Sequence, residues 1–179
     1  MSNQKTLSII KPDAVKAGYV HAINSMIENS GLKILEKKEL KLSNEQAQQF
    51  YAVHSDKPFY NDLCEFMASG PIVVQILEGE NAIELFRKVM GATNPEEADE
   101  NTIRKKFATS IQENAVHGSD NENNALKELN FFFKDKFKIL PSFLNAENAN
   151  SQQFFNIKSL QFLITFQPIF FHKSKLIMK

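Results

Sequence analysis

Four histidines, at positions 21, 54, 117 and 172, are the side chains of this sequence best suited to chemistry near neutral pH. Imidazole titrates in that range and is nucleophilic when neutral. Only His117 has neighbours that suggest a site. It lies in Asn114-Ala115-Val116-His117-Gly118-Ser119-Asp120. A short apolar strand near Asn114–Val116 delivers the ring, and Gly118 allows close approach or unusual dihedrals. Ser119 and Glu122 have the spacing of a capping box that opens a helix. An imidazole beside a helix N-terminus faces a natural anion site. Three cations from distant stretches suit the same chemistry: Lys11 at the end of the first strand, Arg87 on a helix, and Arg104 in Thr102-Ile103-Arg104-Lys105. Converged, they would hold phosphate oxygens, as phosphoryl transfer requires. Taken singly, each reads as a solvated charge. The sequence has no G-x-x-x-x-G-K-[ST], no G-x-G-x-x-G and no H-E-x-x-H, so a P-loop, a dinucleotide cradle and a helical zinc site of that type are excluded.

The elements that must position these residues alternate between strand and helix patterns. Thr6–Lys11 is a short apolar strand, and Pro12 suits the first turn of a following helix on which Tyr19, Ile23, Met26 and Ile27 share a face. Leu32–Leu42 reads as a strand after Gly31. Ser43 and Gln46 form a capping box for a helix with Ala47, Phe50 and Tyr51 on its apolar side. Pro71–Leu77 is almost wholly apolar, as in a strand buried on both faces. Ala82, Leu85, Phe86, Val89 and Met90 make the clearest helix, closed by Gly91. An irregular stretch, Ala92–Asn101, precedes the short strand that carries the histidine. A last helix aligns Ala125, Leu129, Phe132 and Phe133. The pattern predicts an α/β or α+β sandwich, without internal repeats.

The composition limits the class of protein. Apolar residues at 42% and charged residues at 23% can build a core and are too mixed for a disordered chain. With Lys+Arg 21 against Asp+Glu 21 there is no global basic field of the kind that attracts nucleic acid. The single cysteine, Cys64, rules out an internal disulfide and fits a reducing, cytoplasmic setting. The N-terminus lacks a secretory apolar region, and no stretch is long and apolar enough to span a bilayer as a helix. The composition changes near residue 134. Residues 134–179 hold seven lysines against two acids and eight of the 16 phenylalanines. Within them Leu160–Phe171 is an uncharged, β-prone run interrupted by Pro168. The expected division is therefore 1–133 as one domain and 134–179 as an extension. That extension reads as weakly packed or unselected, as an arm for oligomer contacts, or as a membrane-surface contact.

Over about residues 4–133 the sequence resembles nucleoside diphosphate kinases of bacterial type. The resemblance rests on Thr6-Leu-Ser-Ile-Ile-Lys-Pro-Asp-Ala-Val15, Phe50-Tyr-Ala-Val-His54, Lys57-Pro-Phe59, Ser69-Gly-Pro71, Leu77-Glu-Gly79, Met90-Gly-Ala-Thr-Asn-Pro95, Thr102-Ile-Arg104 and Asn114–Asp120. It implies ping-pong transfer of a γ-phosphoryl group from nucleoside triphosphates, ATP among them, to nucleoside diphosphates, with His117 as the phosphorylated nucleophile. It implies that Glu128 bonds the other ring nitrogen, and that Arg87, Thr93 and Arg104 hold phosphates. Lys11 and Asn114 would bind the sugar 3′-hydroxyl, with Lys11 also near the transferred group. Tyr51 and Ser119 would lie beside the histidine, and Phe59 with Leu63 would take the base by stacking, which accepts any base. Mg2+ would be held through the nucleotide phosphates and water rather than a protein cage. The implied fold is ferredoxin-like: a βαββαβ sandwich with a four-stranded antiparallel sheet, helices on one face and a hairpin of helices around Tyr51–Phe66. The implied assembly is a tetramer or hexamer. Two segments depart from the family pattern: Glu100-Asn101 replaces Pro-Gly before Thr102, and the turn after the first strand is Ala17-Gly-Tyr-Val-His21. A degenerate homologue that only binds nucleotide or a partner, and a regulator that phosphorylates other proteins, are the rival readings.

Overall fold

The computed structural model describes residues 3–134; the expectations for the extension lie outside them. Four strands form one sheet in the order β2-β3-β1-β4. The two central strands are β1 (Asn3–Ile10) and β3 (Pro71–Glu80). They are antiparallel, with Leu7 opposite Ile76 and Ile9 opposite Val74. Their apolar runs explain the central position, since Leu7, Ile9, Ile10, Ile72, Val74 and Leu77 need cover on both faces of the sheet. β2 (Lys33–Lys41) has no fully buried residue, with Ile34, Glu36 and Leu40 half-buried and the rest exposed, as suits an edge, and has a register shift between Ile34 and Glu36. The other edge, β4 (Val116–Gly118), lies antiparallel to β1 with His117 opposite Ile9.

Each face of the sheet has its own core. Ile10, Val73 and Leu77 pack with Ile23 and Ile27 of α2 (Val20–Asn29) and with Phe86 and Met90 of α5 (Ala82–Met90). On the opposite face Leu7, Ile9, Ile72, Val74 and Ile76 pack with Ala47 of α3 (Asn44–Phe50), Cys64 and Met67 of α4 (Tyr60–Ala68), and Leu129 of α7 (Glu122–Phe132). The fold is ferredoxin-like, but helices on one face alone do not describe it. The helical hairpin and α7 form a second core layer, because β1 and β3 are apolar on both sides.

Several boundaries differ from the pattern for local reasons. The helix expected after Pro12 is two helices, α1 (Pro12–Lys16) and α2, separated where Gly18 has φ 77°. A short helix, α6 (Ile103–Phe107), follows the irregular stretch. The short strand expected near Asn114–Val116 begins only at Val116, and Asn114 and Ala115 form a tight turn before it: the Val116 N–H donates to the Asn114 carbonyl at 2.7 Å, and Ala115 has φ 65°. Ser119 does not cap α7. Asn121 does, accepting the Asn124 N–H at 2.8 Å. The expected box on α3 does form between Ser43 and Gln46.

Candidate active site

His117 is carried on the edge strand β4 and is partly buried. Its ring is met edge-on by Phe50, with centroids 5.5 Å apart, and by Tyr51 at 6.0 Å. Nε2 lies 3.1 Å from Glu128 Oε1, one helical turn from the end of α7. An ionised carboxylate only accepts, so this contact puts the proton of a neutral imidazole on Nε2 and leaves a lone pair on Nδ1. Ser119, fully buried, donates from Oγ to Glu128 Oε2 at 2.6 Å, and its Oγ accepts the Leu7 N–H at 3.3 Å. Freed from capping, Ser119 therefore anchors the carboxylate that orients the histidine. The Tyr51 hydroxyl is buried without a partner. Burial first, and then the Glu128 charge, pushes its proton affinity up, so it stays a neutral donor.

The cations converge from three elements. Lys11 follows β1 and is 6% exposed; its Nζ donates to Asn114 Oδ1 at 2.6 Å. Asn114 in turn donates from Nδ2 to the Thr93 carbonyl at 3.4 Å. Burial pulls the Lys11 pKa from 10.5 down to about 8; the Asp13 charge opposes that shift, and Arg104 reinforces it. Arg104 donates from one terminal nitrogen to the Gly91 carbonyl at 2.9 Å and from the other to the Val116 carbonyl at 3.1 Å. Its Nε is buried without a partner. Burial, followed by the like charge of Arg87, lowers its pKa from 12.5 to about 10. The loop with Glu100-Asn101 in place of Pro-Gly still delivers Arg104, because Thr102 ties it back to the Asp99 carbonyl and caps α6. Arg87 projects from the exposed side of α5.

These groups line one cavity of about 680 Å³. Lys11, Tyr51, Phe59, Leu63, Arg87, Thr93, Arg104, Asn114, His117 and Glu128 all reach it; among the sequence candidates only Ser119 does not, standing behind Glu128. At the mouth, Phe59 is 51% exposed and Ile111 is 61% exposed, with Val53 and Leu63 beside them, so a flat apolar group has a slot there. The sequence reading assigned no role to Val53, His54, Ile111, Gln112, Asp120 or Asn124, which also line the cavity. Ile111, an exposed branched apolar residue in the polar run Thr109–Glu113, was the one signal that could have found part of this group. A polar end rich in cations, joined to an apolar slot, matches a ligand with phosphates at one end and a ring at the other.

The sequence profile of the nucleoside diphosphate kinase family matches residues 4–137. The chain belongs to the nucleoside diphosphate kinase family. A nucleoside diphosphate kinase of Maricaulis maris (strain MCS10) is 58% identical over 135 residues, covering 75% of this chain and 96% of that protein. Among solved structures, the nucleoside diphosphate kinase of Aquifex aeolicus superposes with a TM-score of 0.74 at 38% identity, over 77% of this chain and 100% of that one. A halophilic nucleoside diphosphate kinase from Halobacterium salinarum, solved in complex with CDP, gives a TM-score of 0.72 at 35% identity, over 76% and 91% of the two chains. In this nucleoside diphosphate kinase fold the cavity is lined by the helical hairpin through Tyr51, Phe59 and Leu63, and by the loops after α5 and α6 through Thr93, Ile111 and Asn114.

Proposed function

We infer that this chain moves the γ-phosphoryl group of a nucleoside triphosphate, ATP included, to a nucleoside diphosphate through a phosphohistidine at His117. One observation carries the reading: an imidazole tethered at Nε2 by Glu128 faces a cavity shared with Lys11, Arg87 and Arg104. In the first half-reaction the Nδ1 lone pair attacks the γ-phosphorus. An N–P bond forms, the bond from that phosphorus to the bridging oxygen breaks, and the diphosphate leaves with the electron pair. No proton has to leave Nδ1, since the tautomer already holds it on Nε2. The second half-reaction runs the same step backwards with a new diphosphate. Lys11, Arg87 and Arg104, which line the cavity, stabilise the charge on the phosphoryl oxygens. On this reading Asn114 and Lys11 hold the sugar, Thr93 a phosphate, and Phe59 with Leu63 the base; that all five line the cavity supports it.

Mg2+ is the metal we assign to the reaction; when bound, it neutralises charge on the phosphates. Among the described residues no three His, Cys, Asp or Glu side chains gather into a site. Asp120 and Glu128 reach the cavity, but both are already engaged by neighbouring side chains. The donor set therefore suits a metal that arrives on the nucleotide. We also propose a homo-oligomer, tetrameric or hexameric, and a cytoplasmic setting. The open backbone edge of β2, where Leu35 is 47% exposed, supports the first, and the lone cysteine supports the second. Among the described residues no helix is long and apolar enough to cross a membrane.

Incubating the chain with γ-labelled ATP and Mg2+ tests the transfer. An acid-labile, alkali-stable label should appear and chase onto an added diphosphate, and His117→Ala should fold but take up none. Nucleotide binding without label would favour a binding module instead.

A further inference from the structure

The turn that precedes His117 is held in a conformation its sequence does not favour. Ala115 has φ 65°, the left-handed region that a side chain with a Cβ disfavours. The Val116 N–H closes the turn onto the Asn114 carbonyl at 2.7 Å. Such strain survives only where the surroundings over-determine it, and here both ends of the Ala115 residue are clamped. Its carbonyl accepts the Lys11 N–H at 2.9 Å, and its own N–H donates to Asp13 Oδ2 at 2.9 Å. Lys11, Pro12 and Asp13 form the corner between β1 and α1, so one rigid corner grips the turn from two sides.

Asn114 and His117, before and after the turn, show what the grip achieves. Asn114, on one side, accepts the Lys11 ammonium at 2.6 Å; two residues on, His117 enters the sheet opposite Ile9. We propose that Asp13 is a positioning residue of the transfer site, a carboxylate that clamps the Ala115 turn and thereby aims Asn114 and His117 into one cavity. The proposal rests on the transfer reading given above. Asp13 does not line the cavity, so it acts through its neighbours.

Its charge has a second consequence. Around the Lys11 ammonium stand the Asn114 and Gln112 carbonyl oxygens, the Phe66 ring at 5.8 Å, the Arg104 guanidinium, which disfavours the charge, and Asp13, which favours it. Of the two charges that act most on Lys11, Asp13 favours its ammonium form and Arg104 disfavours it. Its other oxygen, Oδ1, is buried with no hydrogen-bond partner. A neutral amide would fill the same space and keep the acceptor for Ala115, so the arrangement points to a need for charge as well as shape.

The test uses the full-length chain as wild type, Asp13→Asn and Asp13→Ala, with label uptake from ATP and steady-state kcat and KM measured from pH 6 to 10, and folding followed by circular dichroism. Asp13→Asn keeps an acceptor for the Ala115 N–H, so its kcat at pH 7 should stay within about threefold of wild type, while the alkaline fall of its rate moves down by about one pH unit. Asp13→Ala should lose roughly tenfold to a hundredfold, mainly in kcat, because the reacting ring is misaimed. Loss of packing alone would lower both variants alike and leave the alkaline limb in place; that result overturns the proposal, as does a folded Asp13→Ala with wild-type kcat. If Asp13→Ala fails to fold, the limb of Asp13→Asn decides alone, and an unmoved limb overturns it. A wild type that never takes up label overturns the transfer reading itself, and this role with it.

Discussion

Lys11 shows how a single buried side chain ties activity and stability to pH in opposite directions. Its folded pKa of about 8 lies below its ordinary 10.5. Below pH 8 both folded and unfolded chains carry the proton, and the full burial penalty of the ammonium is present. Between about pH 8 and pH 10.5 the unfolded chain holds the proton and the folded chain releases it, so stability rises with pH across that window. The rate should do the reverse, because the neutral amine no longer offsets phosphate charge. We therefore expect kcat/KM of the wild type to fall through about pH 8, while its urea midpoint gains relative to Lys11→Met between pH 8 and pH 10. A rate that stays flat to pH 10 would remove Lys11 from the phosphate site. At this scale the sequence was informative about type and silent about place. His117 stood out by its neighbours, whereas Lys11, Arg87 and Arg104 are the right groups for phosphate chemistry but each alone reads as a solvated charge. Only the fold brings them to one cavity. Tyr51 and Glu128 were legible only through the family, since an aromatic and an acid at helical spacing carry no chemical signature of their own.

The elements succeed or fail by close approach, and Gly118 marks the tightest one. A Cβ there would lie 2.7 Å from two carbons of the Phe86 ring and 2.9 Å from the Met90 methyl. Phe86 is fully buried on α5 and cannot swing aside, so the glycine is what lets α5 lie against β4. Because α5 also carries Arg87, the same contact sets one wall of the cavity. Gly118→Ala should cost about 1–3 kcal/mol, as overpacking does, read as a lower urea midpoint with an unchanged slope, and should weaken nucleotide binding as α5 is displaced. An unchanged midpoint would mean that the helix can shift freely. The apolar periodicity of Ala82–Met90 made this helix plain in the sequence, as the Ser43–Gln46 box did for α3. The start of α7 was misread because both Ser119 and Asn121 are good caps; the competition is settled by Glu128, which takes the Ser119 hydroxyl and leaves Asn121 to the helix. The Ala115 turn was misread as strand because apolar residues beside a short strand give no local sign of a positive φ.

At the scale of the whole chain the question is where the working unit ends. The described residues, 3–134, by themselves make two core layers, a four-stranded sheet and a cavity lined from Lys11 to Glu128. The family match stops at residue 137, well short of 179. A unit of that size buries enough apolar surface to stand alone. We propose that residues 1–133 are the kinase domain and that 134–179 is an appended segment. The change of composition near residue 134 is the sequence feature that suggests this division; the second core face had no such sign, since a run such as Ile72–Leu77 signals burial on both sides without naming what covers them. A chain cut after Lys138, which keeps the whole family match, should fold cooperatively and retain kcat/KM within about twofold of the full chain in ATP-to-diphosphate transfer. Failure to fold, or a folded product with transfer reduced more than about tenfold, would make the appended residues part of the enzyme. Gel filtration of the two chains side by side then reads assembly separately from catalysis. Equal subunit numbers would place the oligomer contacts within the kinase domain, and a loss of assembly with activity intact would assign the segment to holding subunits together.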